Sequence, residues 1–122
     1  MTPQGKPTPP PHALLPLKSI ETLMLTMLAD GERHGYGIRQ DILEHSGGQI
    51  ELEVGSLYRH IRRLEADGLI DSPARPGRSG DERRIYYRLT PFGRRVLAAE
   101  MLRLRELVRL AEAKHIIAPG RA

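Results

Sequence analysis

The stretch VGSLYRHIRRLEADG, Val54 to Gly68, decides how the rest of the chain is read. Its Leu57, Ile61 and Leu64 recur at i, i+4 and i+7, so a helix here has one apolar stripe turned inward. Ser56, Arg59, His60, Arg62 and Arg63 are left outside. An apolar back with a guanidinium front suits a nucleic-acid groove, but the same pattern describes many solvated surface helices. The flanking segments have to separate the two.

On the N-terminal side, HGYGIRQDILEH (residues 34 to 45) places Ile38, Ile42 and Leu43 on a short buried face. Glycines at 35 and 37 cost a helix stability relative to alanine, which points to a close backbone approach or a tight lead-in turn. Ser46-Gly47-Gly48 ends that helix, and with Val54 to Gly68 the two make a helix-turn-helix outline. Between them, Ile50, Leu52 and Val54 alternate with polar residues, which fits a short strand or an extended linker equally well.

On the C-terminal side, Leu69 to Ser72 reads as a strand, Pro73 to Glu82 as a loop, and Arg83 to Leu89 as a second strand. Arg75 and Arg78 in the loop, followed by Arg83 and Arg84, make the hairpin basic. An ordinary surface hairpin is the plainer reading. Its place directly after a basic helix favours a wing.

Farther out, Leu17 to Ala29 has Leu17, Ile20, Leu23, Met24, Met27 and Leu28 at helical spacing and stops at Asp30-Gly31. Residues 1–16 hold six of the ten prolines and little that could pack, so they are expected to be a disordered arm. Thr90-Pro91 is a strong helix start, and the helix is expected to run to Ile117, before Pro119-Gly120. Over about 26 residues it would be roughly 39 Å long. Leu97, Met101, Leu104, Val108 and Ala111 follow a 4-3-4-3 series along it, widened by Leu102, Leu107 and Leu110. A domain of about seventy residues has difficulty covering so long an apolar face, so a second copy is expected to do so, with folding back on the same domain as the alternative. Leu97, Met101, Leu104, Leu107, Val108 and Ala111 are therefore the expected dimer contacts. The fold class is mainly α with a small β-hairpin, divided into an arm (1–16), a winged helix-turn-helix (17–90), a dimerisation helix (91–117) and a tail (118–122).

Composition agrees with this division. The 122 residues fit one domain, 39% are hydrophobic and only 4% aromatic, so the core must be built from Leu, Ile, Val and Met. Net charge is +4, but residues 1–53 carry four basic and seven acidic side chains while residues 54–95 carry ten and five. All ten central cations are arginine, whose fork fits phosphate and guanine. A basic centre of this kind favours a polyanionic partner. The absence of cysteine fits a reducing cytoplasm and excludes thiolate chemistry. The run Leu14 to Leu28 is broken by Pro16, Lys18 and Glu21 and is too short to span a bilayer. His12, His34, His45, His60 and His115 show no metal-ligand spacing, and no Gly-rich phosphate loop is present. Neither an enzyme nor a cofactor is expected.

The order helix, HGYGI helix, GSLYxxIRRLExDGLI, wing, RRIYYRLTPFG, long helix closely resembles the PadR family of bacterial transcriptional regulators, in the short form with one C-terminal helix, over roughly residues 17 to 116. The resemblance implies a winged helix-turn-helix that dimerises through the C-terminal helix with help from the first and represses transcription at an inverted-repeat operator. It also implies that Ser56 and Tyr58 contact DNA and that the wing reaches the adjacent minor groove or its phosphates. A small-molecule effector between the subunits is compatible with it. Three departures stand out: Glu53-Val54 replaces the frequent Ser-Pro lead-in, Arg59 replaces a frequent proline, and the tryptophan with which some multidrug-binding relatives stack planar drugs has no counterpart. The rival reading is a winged-helix module whose basic face docks on an acidic protein.

Overall fold

Four helices and a small antiparallel sheet alternate along the chain in the computed structural model, which describes residues 8–73 and 85–120. A single 3-10 turn, Pro11–Leu14, leads into helix α1, Ser19–Met27. Strand β1, Arg33–His34, runs directly into α2, Gly35–His45, and α3 follows as Val54–Ala66. Strands β2, Ile70–Asp71, and β3, Tyr86–Leu89, precede α4, Pro91–Ala113. In the sheet β3 is central, pairing with β1 at Arg33↔Tyr87 and His34↔Tyr86 and with β2 at Ile70↔Leu89 and Asp71↔Arg88.

The core forms where the apolar stripes converge. Met24, Leu25 and Leu28 of the first helical segment meet Ile38 and Ile42 of α2, Leu57, Ile61 and Leu64 of α3, and Val96 and Leu97 of α4. Each fully buried aliphatic side chain contributes about 1.5–3 kcal/mol relative to remaining in water. Leu69, Ile70 and Tyr87 close the sheet side of this core.

Helix ends follow from local chemistry. Behind α3, Leu69 N–H donates to Leu64 O and Gly68 N–H to Glu65 O, a Schellman closure that needs the left-handed φ of +74° at Gly68. His115 takes the same position after α4, with φ 61°, while Ile116 N–H donates to Ala111 O. The helix therefore ends at Ala113, short of the expected Ile117.

Several further expectations need correction. Residues 11–16 are not a disordered arm: Pro11–Leu14 forms a turn against α4, because Leu14 and Leu15 are apolar enough to pack on the core. Residues 1–7 lie outside the described part. Of the expected strand or linker Gln49 to Val54, residues 49–53 form an extended linker with no strand pairing, its Ile50 and Leu52 turned toward the core, and Val54 already begins α3. The sheet gains β1, a third strand that sequence alternation over two residues could not reveal. Of the expected second strand, Tyr86–Leu89 is observed, whereas Arg83 and Arg84 fall outside the described residues.

Candidate nucleic-acid interface

Helix α3 presents two chemically distinct faces. Leu57, Ile61 and Leu64 are fully buried, whereas Arg59, Arg62 and Arg63 are exposed. Arg59 donates to Ser56 Oγ across 3.3 Å, one helical turn back. Among the described residues Arg62 makes no ion pair. At the front of the helix Glu53 occupies the N-cap without a side-chain hydrogen bond, as the missing Ser-Pro lead-in implied.

Two of the proposed contact residues are placed differently from the sequence reading. His60 is turned inward: its side chain is 15% exposed and its Nδ1 lies 2.8 Å from Oε2 of the buried Glu21. It leaves the outward set because its partner, 39 residues away in sequence, could not be read from helical spacing. Tyr58 is half-buried and packs on the core, with its ring against Gly35. Arg75, Arg78, Arg83 and Arg84 of the expected wing lie outside the described residues.

Gly35 explains itself through that ring. A Cβ at Gly35 would sit 2.9 Å from the Tyr58 hydroxyl oxygen, so the close approach demanded of this glycine is made by a side chain, not by backbone. His34 caps α2, its Nδ1 accepting from the Gly37 amide at 3.0 Å, and its ring meets Tyr86 edge-on with centroids 5.6 Å apart. A ring nitrogen that accepts is unprotonated, so the imidazole carries its proton on Nε2.

Arg39 is a positioning residue that the sequence reading missed. From α2 its Nε donates to Leu52 O at 2.6 Å and its guanidinium reaches Glu51 at 3.2 Å, which ties the linker to α2 just before α3 begins. Ser46 does related work at the turn, its Oγ accepting from the Ile50 amide at 2.8 Å. The signal for Arg39 was weak, since a half-buried arginine on a short helix looks like any surface cation.

Among the expected dimer contacts, Leu97 belongs to the protomer's own core, at 7% exposure. It sits in the first turns of α4, which lie against α1, the 3-10 turn and β3. Met101, Leu107 and Val108 are exposed, Leu104 and Ala111 half-buried, and Leu102 and Leu110 enlarge the uncovered surface. At its base α4 is fastened to the end of α3. Thr90 Oγ1 donates to Gly68 O at 2.7 Å and accepts from the Gly93 amide at 2.9 Å.

Among the described residues, no group of three or more His, Cys, Asp or Glu is arranged to hold a metal ion. No described helix is long and apolar enough to cross a membrane.

Comparison with known proteins bears on the same geometry. The model of the transcriptional regulator PadR-like family matches residues 24–99. A transcriptional regulator of Mycobacterium tuberculosis is 41% identical over 81 residues, covering 66% of this chain and 71% of its own. A transcriptional regulator from Clostridium thermocellum shares the fold with a TM-score of 0.66 at 26% identity, over 83% of this chain and 99% of that one. Bacillus subtilis PadR, solved in complex with operator DNA, superposes with a TM-score of 0.58 at 22% identity, over 69% of this chain and 47% of that one. With its helix-turn-helix, small sheet and long final helix, this chain belongs to the PadR-like family of transcriptional regulators.

Proposed function

We propose that two copies of this chain form a cytoplasmic homodimeric repressor that binds an inverted-repeat operator in double-stranded DNA. The observation that carries the reading is the outward arginine face of α3, with Arg59 and Arg62 free of carboxylate partners among the described residues. It occurs on the second helix of a helix-turn-helix, the element that such proteins insert into the major groove. A relative with the same fold was solved on operator DNA, which supports extending the mode to this chain.

The exposed apolar stripe of α4 supports the dimer. Met101, Leu104, Val108 and Ala111 continue a 4-3 spacing, the pattern by which two helices interdigitate, and a second copy offers the same stripe. Paired α4 helices would hold two α3 helices in successive major grooves, about 34 Å apart. An arginine forked onto a guanine edge discriminates by roughly 1–3 kcal/mol, while the remainder neutralise phosphate. Ser56 and Tyr58 fit contacts to the DNA backbone near the start of α3. Arg75, Arg78, Arg83 and Arg84, outside the described residues, would add salt-sensitive affinity.

The test is to sequence genomic fragments retained by the purified protein and to footprint the best of them. The expected result is an inverted repeat with half-sites about 10 base pairs apart, centre to centre. Failure to retain any duplex at low salt, with capture of an acidic protein instead, would favour the interaction-module reading.

A further inference from the structure

We infer that Glu21 of α1 is a positioning residue that restrains the positive charge of α3 and thereby raises discrimination between operator and other DNA. The inference rests on the DNA-binding reading and adds a residue outside the helix-turn-helix to it.

Position 21 is an unusual place for a carboxylate. Glu21, Met24, Leu25 and Leu28 fall at i, i+3, i+4 and i+7, so Glu21 occupies a core position on the apolar stripe of its own helix. Its side chain is 4% exposed. A buried carboxylate is costly unless paired and hydrogen-bonded. Both of its partners among the described residues come from α3: His60 Nδ1 at 2.8 Å from Oε2, and Arg63 Nε at 3.7 Å from Oε1. Residues 60 and 63 are one turn apart, on a single flank of the helix.

The two contacts act differently. His60 is nearly covered and joins α3 to α1. Arg63 remains 59% exposed, so its outer nitrogens can still meet DNA while its inner one faces a negative charge. Binding to arbitrary DNA depends on how many phosphates the cations neutralise, whereas reading a base depends on where a guanidinium is held. A carboxylate behind Arg63 weakens the first and preserves the second. Arg59 and Arg62 have no such counter-charge among the described residues.

The experiment is Glu21→Gln, which keeps the shape and a hydrogen-bonding oxygen for His60 but removes the charge. Binding to a random duplex and to the retained operator fragment is measured by fluorescence anisotropy across a potassium chloride series. The expected result is a salt slope on random duplex steeper by about one and binding at low salt tighter by roughly tenfold, with a smaller gain on the operator. In an Arg63→Gln background the same change has little effect. A purely structural Glu21 would lower thermal stability and leave the slope alone, and that outcome overturns the inference, as does an equal effect with Arg63 absent. If Glu21→Gln does not fold, Arg63→Gln in the native protein decides. It flattens the slope by clearly less than Arg62→Gln does, and equal flattening overturns the inference. Wild-type protein that binds no duplex defeats the DNA reading itself, a result distinct from all of these.

Discussion

From Pro91 to Glu100, α4 lies against the rest of its domain, with Val96, Leu97 and Glu100 buried; from Met101 to Ala113 the same apolar spacing continues with Met101, Leu107 and Val108 bare. One helix thus carries two jobs under one periodicity. The proximal half is domain core, and the distal half is surface in search of a cover. Spacing reports which face of a helix is apolar, but what covers that face depends on where the rest of the domain stops. Here it stops near Glu100, the last fully covered residue of the helix.

The largest effect expected on the proximal half is from Gly93→Ala. The new Cβ would collide with Leu69 O and lie 2.8 Å from its carbonyl carbon, both backbone atoms that cannot turn aside. Destabilisation of at least about 3 kcal/mol is expected in urea unfolding, because overpacking against backbone leaves no rotamer to escape into. Next, Leu97→Ala should cost about 2–3 kcal/mol through the cavity it opens. A Leu97 variant that unfolds like wild type would erase the distinction between the halves.

Glu100 sharpens the boundary through pH. The Arg103 guanidinium, bonded to both carboxylate oxygens at 2.8 Å, holds its pKa below the ordinary 4.5 despite the opposing effect of burial. A carboxyl depressed in the folded state stabilises the fold above its unfolded pKa, and that stabilisation is lost as pH falls through the folded value. The stability difference between wild type and Glu100→Gln should therefore stay level above about pH 5 and shrink below it. A difference unchanged down to acid pH would mean that the pair is not formed in solution.

The smallest change in protomer stability belongs to the distal half. Leu107→Ala should shift the protomer's unfolding free energy by no more than about 0.5 kcal/mol, since Leu107 is already half in water. Leu107→Glu, by contrast, should convert the proposed dimer to monomer in light scattering and remove the concentration dependence of the melting temperature expected of a dimer. A Leu107→Glu protein that remains dimeric would move the seam elsewhere on α4.

The same distinction marks what could be read from the sequence. The stripe Leu57, Ile61, Leu64 was legible because helical spacing is local, and so was the cap at Thr90. His60 was read as outward because its neighbours are charged, and its true partner lies on another helix. Glu21 did leave a trace, as a carboxylate at a core position, but a trace of that kind names no partner. Leu97 fell into the dimer set because it heads an unbroken series, and only the depth of the domain removes it. Leu14 and Leu15 were masked by the prolines around them. Strand β1 was too short to show alternation, and it is defined by its pairing with Tyr86 and Tyr87 of β3.

The seam between Gly93 and Leu69 has one further mechanical consequence. Thr90, bonded to Gly68 and Gly93, leaves no slack between the end of α3 and the base of α4, so the junction behaves as a fulcrum. The twenty residues of α4 beyond Gly93 form an arm about 30 Å long, along which a tilt of roughly 5° moves the tip by about 2.6 Å. The arm is geared directly to α3. In the dimer proposed above, the angle at which two such arms cross would set the separation of the two α3 helices, and a methyl group at residue 93 would disturb that setting at its base.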